Sequence, residues 1–238
     1  MDDSSNVLDE YNKINQTYMK STREKGQDDF ETQQEKYRHF APIYNDIIHK
    51  SNVENKYDEP KNFCEQMESV VADKTTAVIL DYGCGGGLVA VDYLINRFGF
   101  KIIDGIEPCK EMLDVARSKG AMRNLYHMGS RDDHSVLPQK HYDVVFGHGV
   151  FFLSPSHPDF SNLRPLCKLV KKGGYIVIGT VQSYLKHFSR EPITQLEAEG
   201  RIKMLPEFVF DGYRKSTPEE AEEYGEYVKG VVFKFQVL

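Results

Sequence analysis

Apolar and polar positions change rhythm along the chain, and each change marks an element. Met1 to about Glu35 is polar and charged. Val7, Leu8, Tyr11, Ile14 and Tyr18 would make one helical stripe there, but Lys20 to Gln34 carries few aliphatic residues to hold structure. The expectation is a mobile arm over residues 1–36, followed by one domain over 37–238. Phe40, Ile43, Tyr44, Ile47 and Ile48 then recur at i, i+3, i+4, i+7 and i+8, which predicts a helix over Tyr37 to Ile48 with a firm apolar face. A further helix is expected over about Pro60 to Ala72.

From Val78 the pattern alternates between short apolar runs and helical stripes. Val78-Ile79-Leu80 reads as a strand buried on both faces. Leu88, Val89, Val91, Leu94 and Ile95 follow at helical spacing, and Gly99 ends that element. Lys101 to Ile106 is a second strand, Lys110 to Ser118 a helix burying Met112, Leu113 and Val115, and Leu125 to Met128 a third strand. Tyr142 to Phe146 makes a fourth. Leu163, Leu166, Leu169 and Val170 form a helix before Lys172-Gly173-Gly174, and Tyr175 to Thr180 is a fifth strand. A charged helix with Leu196 ends at Gly200. Arg201 to Phe210 reads as a sixth strand, and Val228 to Leu238, alternating V-V-F-K-F-Q-V-L, as a seventh and antiparallel one. Glu219 to Glu226 reads as a solvated face or loop. Strands alternating with helices predict a doubly wound, seven-stranded α/β sheet whose last strand is antiparallel.

Between the first strand and its helix, four glycines fall within five positions, at Gly83, Gly85, Gly86 and Gly87. Strand, glycine loop and helix in that order make a ligand-binding turn, because a side chain there would hold a ligand away from the backbone. A dinucleotide fingerprint starting at Gly83 would need a glycine at position 88, which is Leu88. That disfavours a nicotinamide enzyme. Asp81 stands two residues before the first glycine, giving D-x-G-x-G-x-G, and a carboxylate there suits a sulfonium-bearing zwitterion better than a pyrophosphate.

With Asp81 and these alternate glycines, the chain resembles class I S-adenosylmethionine-dependent methyltransferases, whose Rossmann-like sheet it would share. The resemblance implies S-adenosylmethionine as cofactor and S-adenosylhomocysteine as product. It places cofactor contacts at Asp81, Gly83, Cys84, Gly85 and Gly87 in the loop, and at Glu107 and Pro108 after the second strand. Glu107 would accept hydrogen bonds from the ribose hydroxyls, a role compatible with capping the next helix. The family's third strand commonly ends in Gly-Asp, whereas this chain reads Gly129-Ser130-Arg131-Asp132-Asp133. The adenine contact is therefore open between Ser130, Asp132 and backbone alone. Tyr142 to Phe146 resembles the fourth motif, which delivers Gly147 and His148 to the transfer site. His148 is a candidate general base, with pocket lining and a structural role as alternatives. Phe151 or Phe152 is expected in the cavity or the core.

Ala41 and Tyr44 match an A-x-x-Y-D segment that helps cover the cofactor in small-molecule methyltransferases, with Asn45 replacing the acid. Tyr44, or Tyr37, would be that cover, with plain packing as the alternative. Within the superfamily the chain is most similar to the group around the Williams–Beuren syndrome critical-region methyltransferase-like protein. That similarity rests on the A-x-x-Y helix, the D-x-G-C-G-x-G-L-V-A loop and L-E-x-x-G at Leu196 to Gly200.

Charge and composition narrow the acceptor rather than the donor. The 238 residues hold 36 acidic and 30 basic side chains, a net charge of −6, which disfavours nucleic acid as a partner, although Lys168, Lys171 and Lys172 could make a local patch. Cys64, Cys84, Cys109 and Cys167 lack metal or disulfide spacing, the N-terminus lacks a signal-peptide core, and no apolar run nears the roughly 20 residues needed to span a bilayer. A cytoplasmic monomer with no membrane contact is expected, a nuclear location staying open. The eight histidines show no paired ligand spacing, so no metal is expected. Tyr184 and Phe188, with Phe151 and Phe152, favour a small-molecule acceptor. A non-catalytic S-adenosylmethionine-binding or partner-binding module and a protein methyltransferase remain the alternatives.

Overall fold

A computed structural model describes residues 13–14, 30–54, 59–152, 156–216 and 218–238. The chain enters through α1 (Phe30–Phe40), α2 (Tyr44–Glu54) and α3 (Glu59–Glu68). Two sequence expectations change here. Residues 30–36, assigned to the polar arm, are helical; the rest of that arm lies outside the described residues apart from Lys13 and Ile14. The helix expected over 37–48 is also broken into two, because Pro42 has no N–H to donate and disfavours helical geometry at Ala41. Ala41 closes α1 by donating to the Tyr37 carbonyl at 2.9 Å, and Ile43 donates to Phe40 at 2.9 Å. The helix after it is shorter than expected, ending at Glu68.

The sheet then forms in the expected order of elements. After β1 (Val78–Tyr82) comes α4 (Leu88–Ile95), then β2 (Ile102–Glu107), α5 (Lys110–Ser118), β3 (Leu125–His127) and β4 (Tyr142–His148). α4 is π-helical rather than α-helical: Asn96 donates to Val91 and Phe98 to Tyr93, both five residues back at 3.0 Å. Its Leu88, Val89, Ala90, Val91, Tyr93 and Leu94 are all buried, so it is apolar nearly all round. α6 (Leu163–Leu169) leads into β5 (Val170–Val181), which takes in Val170 and the Lys172-Gly173-Gly174 segment that the sequence placed in a helix end and a turn. The register against β4 shifts there, and Gly173 sits at φ 83°. After α7 (Glu191–Ala198) the expected sixth strand is two pieces, β6 (Ile202–Met204) and β7 (Phe208–Lys215). The acidic run at 219–226 is not a loop: most of it forms α8 (Pro218–Tyr224), which leads into β8 (Tyr227–Val237).

Strand order is β3-β2-β1-β4-β5-β8-β6, with β7 also paired to β8. β6 and β7 succeed one another along the same edge of β8 and occupy one position, so the sheet has seven positions. β8 runs antiparallel to β5 and to both outer pieces, while β1 to β5 are parallel. Adjacent residues point to opposite faces, so Ile79 and Leu80, Val144 and Val145, and Ile176 and Val177 divide between two cores. Phe63, Met67 and α4 fill one; Phe151, Phe160, Leu163, Leu166, Phe233 and Phe235 fill the other. The order reverses direction at β1 and β4, where the crevice of an open α/β sheet lies. No described helix is long and apolar enough to cross a membrane.

Candidate active site

The glycine loop is built by folding the end of β1 over the end of β2. Gly83 and Cys84 both donate to the Ile106 carbonyl, at 3.0 and 2.9 Å. Gly83 has φ 83°, and a Cβ there would lie 2.6 Å from Val150 Cγ2, so backbone conformation and close approach both require glycine. Asn45 of α2 reaches across to donate from Nδ2 to the Gly86 carbonyl at 3.1 Å. A carboxylate could not make that bond, which gives a physical reason for asparagine at 45.

Two buried carboxylates face this loop. Glu107, 7% exposed, accepts from Gly85 N–H at 3.0 Å through Oε2 and from Cys109 N–H at 2.9 Å through Oε1. It therefore ties the glycine loop to Cys109, the N-cap residue of α5. Burial pushes its carboxyl up from 4.5 to about 7, against the pull of those two N–H groups and His127. Asp81, 3% exposed, is raised well above the usual carboxylate range, first by burial and then by the Glu107 charge. The Cys84 thiol is raised for the same causes, burial first and then Asp81 and Glu107. Such a site favours a ligand that brings positive charge.

One cavity of about 370 Å³ connects these groups to the ends of β3 and β4 and to the underside of α1 and α2. Ile106, Pro108, Met128 and Ser130 line it beyond Glu107. Asp132 instead turns inward to its own loop, accepting from Gly129 N–H at 2.7 Å through Oδ2. Of the sequence's candidates for this end, Ser130 reaches the cavity and Asp132 does not.

At the other end, His148 closes β4 with its ring 4.3 Å from Phe63 and 6.0 Å from Tyr213. A Cβ on Gly179 would overlap the imidazole and the Phe63 ring, so a glycine in β5 makes room for both. The loop beyond is pinned to β5 by Gly149 N–H to the Gly179 carbonyl at 3.1 Å and by Thr180 Oγ1 to the Phe151 carbonyl at 2.6 Å. α1 lies across the opening. The Tyr37 hydroxyl meets His157 Nε2 at 3.1 Å, His157 Nδ1 meets Ser156 Oγ at 3.1 Å, and the Phe152 ring stands edge-on 5.3 Å from His157. On its other flank Arg38 Nε donates to Glu111 of α5 at 3.1 Å.

The structure thus brings Asp81, Gly83, Cys84, Gly85, Glu107, Pro108, Ser130, Tyr44 and His148 onto one cavity. It does not bring Gly87 or Gly147 there. Gly87, the N-cap of α4, needs its φ of 73°, and a Cβ on Gly147 would strike the Phe151 ring at 2.7 Å, so one serves the turn and the other close packing under the site. Phe152 lines the cavity while Phe151 is fully buried in the core. Phe188 packs on Phe160 instead, and Tyr184 on Phe152. Sequence reasoning missed Tyr82, Val150, His157, Tyr213 and Arg214, which also line the cavity. Tyr82 lay inside the D-x-G motif; Tyr213 and Arg214 come from β7 and carried no local signal. Among the described residues, no group of three or more His, Cys, Asp or Glu is placed to hold a metal ion.

Comparison with known proteins matches this floor to a family. Residues 80–178, from β1 to β5, match the family described as a methyltransferase domain. A ubiquinone biosynthesis O-methyltransferase from Shewanella sp. strain ANA-3 is 30% identical over 146 residues, which cover 60% of this chain and 58% of that one. One from Aeromonas salmonicida is 30% identical over 151 residues, 62% of this chain and 60% of its own. The matches thus span less than two thirds of those relatives. Among solved structures, a SAM-dependent methyltransferase from Leishmania major aligns with a TM-score of 0.57 at 15% identity, covering 87% of this chain and 82% of that one. The YcgJ protein from Bacillus subtilis aligns with a TM-score of 0.51 at 11% identity, over 73% and 96%. At these identities the structural likeness is one of fold.

Proposed function

We propose that this chain, whose residues 80–178 match the methyltransferase-domain family, is a class I methyltransferase that transfers a methyl group from S-adenosylmethionine to a small-molecule acceptor. The observation that carries the reading is the single cavity running from the Asp81 and Glu107 carboxylates to His148 beneath α1 and α2. The residues fit the cofactor. Each Glu107 oxygen already holds one backbone N–H and keeps lone-pair capacity for ribose hydroxyls. Asp81 offers negative charge to a cationic ligand, Gly83 leaves backbone open, and Ile106, Pro108 and Met128 offer an apolar slot that Ser130 ends. Gly87 and Gly147 support this site from below.

When bound, the cofactor supplies an electrophilic methyl group on a positively charged sulfur. The protein's part is positioning, because an in-line displacement at carbon is accelerated chiefly by holding both partners in a dry site. α1 and α2, with Tyr37 and Tyr44, exclude water from above. His148, its ring held against Phe63, takes the proton of an oxygen or nitrogen nucleophile. That the two relatives are named O-methyltransferases favours oxygen. The finer kinship with the Williams–Beuren group belongs to this reading too and is supported by Tyr44 on the cavity. So does a monomeric, cytoplasmic protein without a nucleic-acid partner, the last of these supported by the net charge of −6.

S-adenosylhomocysteine at about 100 times its dissociation constant should stabilise the fold by roughly 2.7 kcal/mol, raising the melting point by roughly 5–11 °C, while NADH leaves it unmoved. Labelled methyl groups should then appear in the metabolite fraction of an extract. His148→Gln should lower kcat by about a hundredfold or more with S-adenosylhomocysteine affinity unchanged. No shift with the sulfur ligands, or label in protein or RNA alone, defeats the reading.

A further inference from the structure

The cavity lining carries charges of both signs. Among its described residues the carboxylates are Asp81 and Glu107, both against the glycine loop, and the Lys and Arg side chains are Lys36 and Arg214. Arg214 lies on β7, four strands from β1 along the path β1-β4-β5-β8-β7, or about 19 Å of sheet at roughly 4.8 Å per strand. Its neighbour Tyr213 puts its ring 6.0 Å from His148, and a Cβ on Gly149 would be 3.4 Å from the Tyr213 hydroxyl. Arg214 therefore sits on the far side of His148 from the carboxylates.

Arg214 is oriented from behind. Glu220 of α8 accepts from Nη1 and Nη2 at 2.7 Å each, and Nη1 also donates to the Lys215 carbonyl at 3.1 Å. Glu220 is not part of the lining, whereas Arg214, its side chain 32% exposed, is. Those three bonds, with a fourth to the Tyr184 side chain, use four of the five guanidinium N–H groups and leave one to point at a ligand. The Tyr184 hydroxyl stands beside the same group. The result is a permanently charged, planar fork held in place before any ligand arrives, with Phe152, Tyr213 and Pro60 as apolar walls nearby.

We propose that Arg214 is the anion-binding residue of the acceptor site, and that the acceptor is a small, largely apolar or aromatic acid whose carboxylate rests on Arg214 and whose methylated heteroatom meets His148. This rests on the methyl-transfer reading above. The tests separate the two. Calorimetry with S-adenosylhomocysteine alone checks the cofactor reading, and its failure counts against that reading only. Ligand-observed NMR, with and without S-adenosylhomocysteine, compares 4-hydroxybenzoate, 4-hydroxyphenylacetate and indole-3-acetate with their amides. At least one acid should bind about tenfold or more tightly than its amide, the scale of a charge-assisted pair. The double variant R214Q/E220Q removes both charges and so leaves no lone, partly buried carboxylate. It should abolish that preference while changing S-adenosylhomocysteine affinity less than about twofold. Arg214→Lys, charged but without the fork, should fall between. Acids that bind no better than amides, no acid binding at all, or an acid preference that survives in the double variant overturns the assignment.

Discussion

Lowering the pH from 8 to 6 should weaken S-adenosylhomocysteine binding about tenfold, and Glu107 should be the reason. Its carboxyl stands at about 7 in the ligand-free protein because burial outweighs the Gly85 and Cys109 N–H groups. Ribose hydroxyls donate to the ionised form, so binding draws the group toward ionisation and releases a proton when the free protein holds one. With the complex ionised throughout, the apparent dissociation constant scales as one plus the ratio of proton concentration to the acid constant. That factor is about 11 at pH 6 and about 1.1 at pH 8, a tenfold change or roughly 1.4 kcal/mol. Stability of the free protein should run the other way. Between 4.5 and about 7 the native state binds a proton that the unfolded chain has lost, so stability falls as pH rises through this window. The gap sets an upper bound of roughly 3.5 kcal/mol at about 1.4 kcal/mol per pH unit. Asp81 from β1, Cys84 from the loop, Cys109 ahead of α5 and His127 from β3 all face this group. Asp81 is raised as well and would steepen the slope, so Asp81→Asn is the companion variant. Calorimetry at several pH values, in buffers of different ionisation enthalpy, reads affinity and proton release together. Glu107→Gln should bind more weakly and lose the pH dependence. A flat wild-type profile, or an unchanged slope in Glu107→Gln, refutes the reasoning.

Three further outcomes follow from the loop and its cover. Gly83→Ala should cost roughly 1–3 kcal/mol in urea unfolding and weaken cofactor binding, because alanine meets both φ 83° and the Val150 methyl; wild-type stability would show the loop to be adaptable. Asn45→Asp should cost about 1–3 kcal/mol, since a carboxylate would face the Gly86 carbonyl it cannot donate to; chemical denaturation at pH 8 reads it, and no loss there denies Asn45 its role. Tyr37→Phe removes the hydroxyl on His157 and should speed S-adenosylhomocysteine release severalfold, about 0.5–1.5 kcal/mol of closure, measured by stopped flow; an unchanged off-rate means α1 does not retain the ligand.

The parallel strands were legible in the sequence because parallel strands are buried on both faces and so read as plain apolar runs, as Val78 to Leu80 and Tyr142 to Phe146 do. The glycine loop was legible for a related reason, since a backbone that must pass close to a neighbour tolerates few alternatives, and Glu107 was legible as the acid that closes the second strand. The start of α1, residues 30–36, was hidden because it lies over a cavity rather than filling a core. Within FETQQEKYRHF only Thr32 and Phe40 are buried, and a helix with that composition shows no stripe to find. The break at Pro42 was overridden in the reading by an apolar spacing that happens to continue across it, although the proline itself carried the signal. Tyr213 and Arg214 were out of reach for a different cause. β7 acquires its meaning only after β8 has paired with β5, when residues some 65 positions beyond His148 return to the edge of the β4 loop. Apart from Tyr37 and Tyr44, the part of the cavity read from sequence is therefore the part assembled from consecutive βα turns. The other part is made by closure of the chain's two flanks over those turns: α1 and α2 from one side, β7 from the other. That division coincides with the family match at 80–178, which takes in the carboxylates, the glycine loop and His148 and leaves out Tyr37, Tyr44, Tyr213 and Arg214. On the proposed function, the donor's contacts lie inside the matched region and the proposed acceptor contact, Arg214, lies outside it.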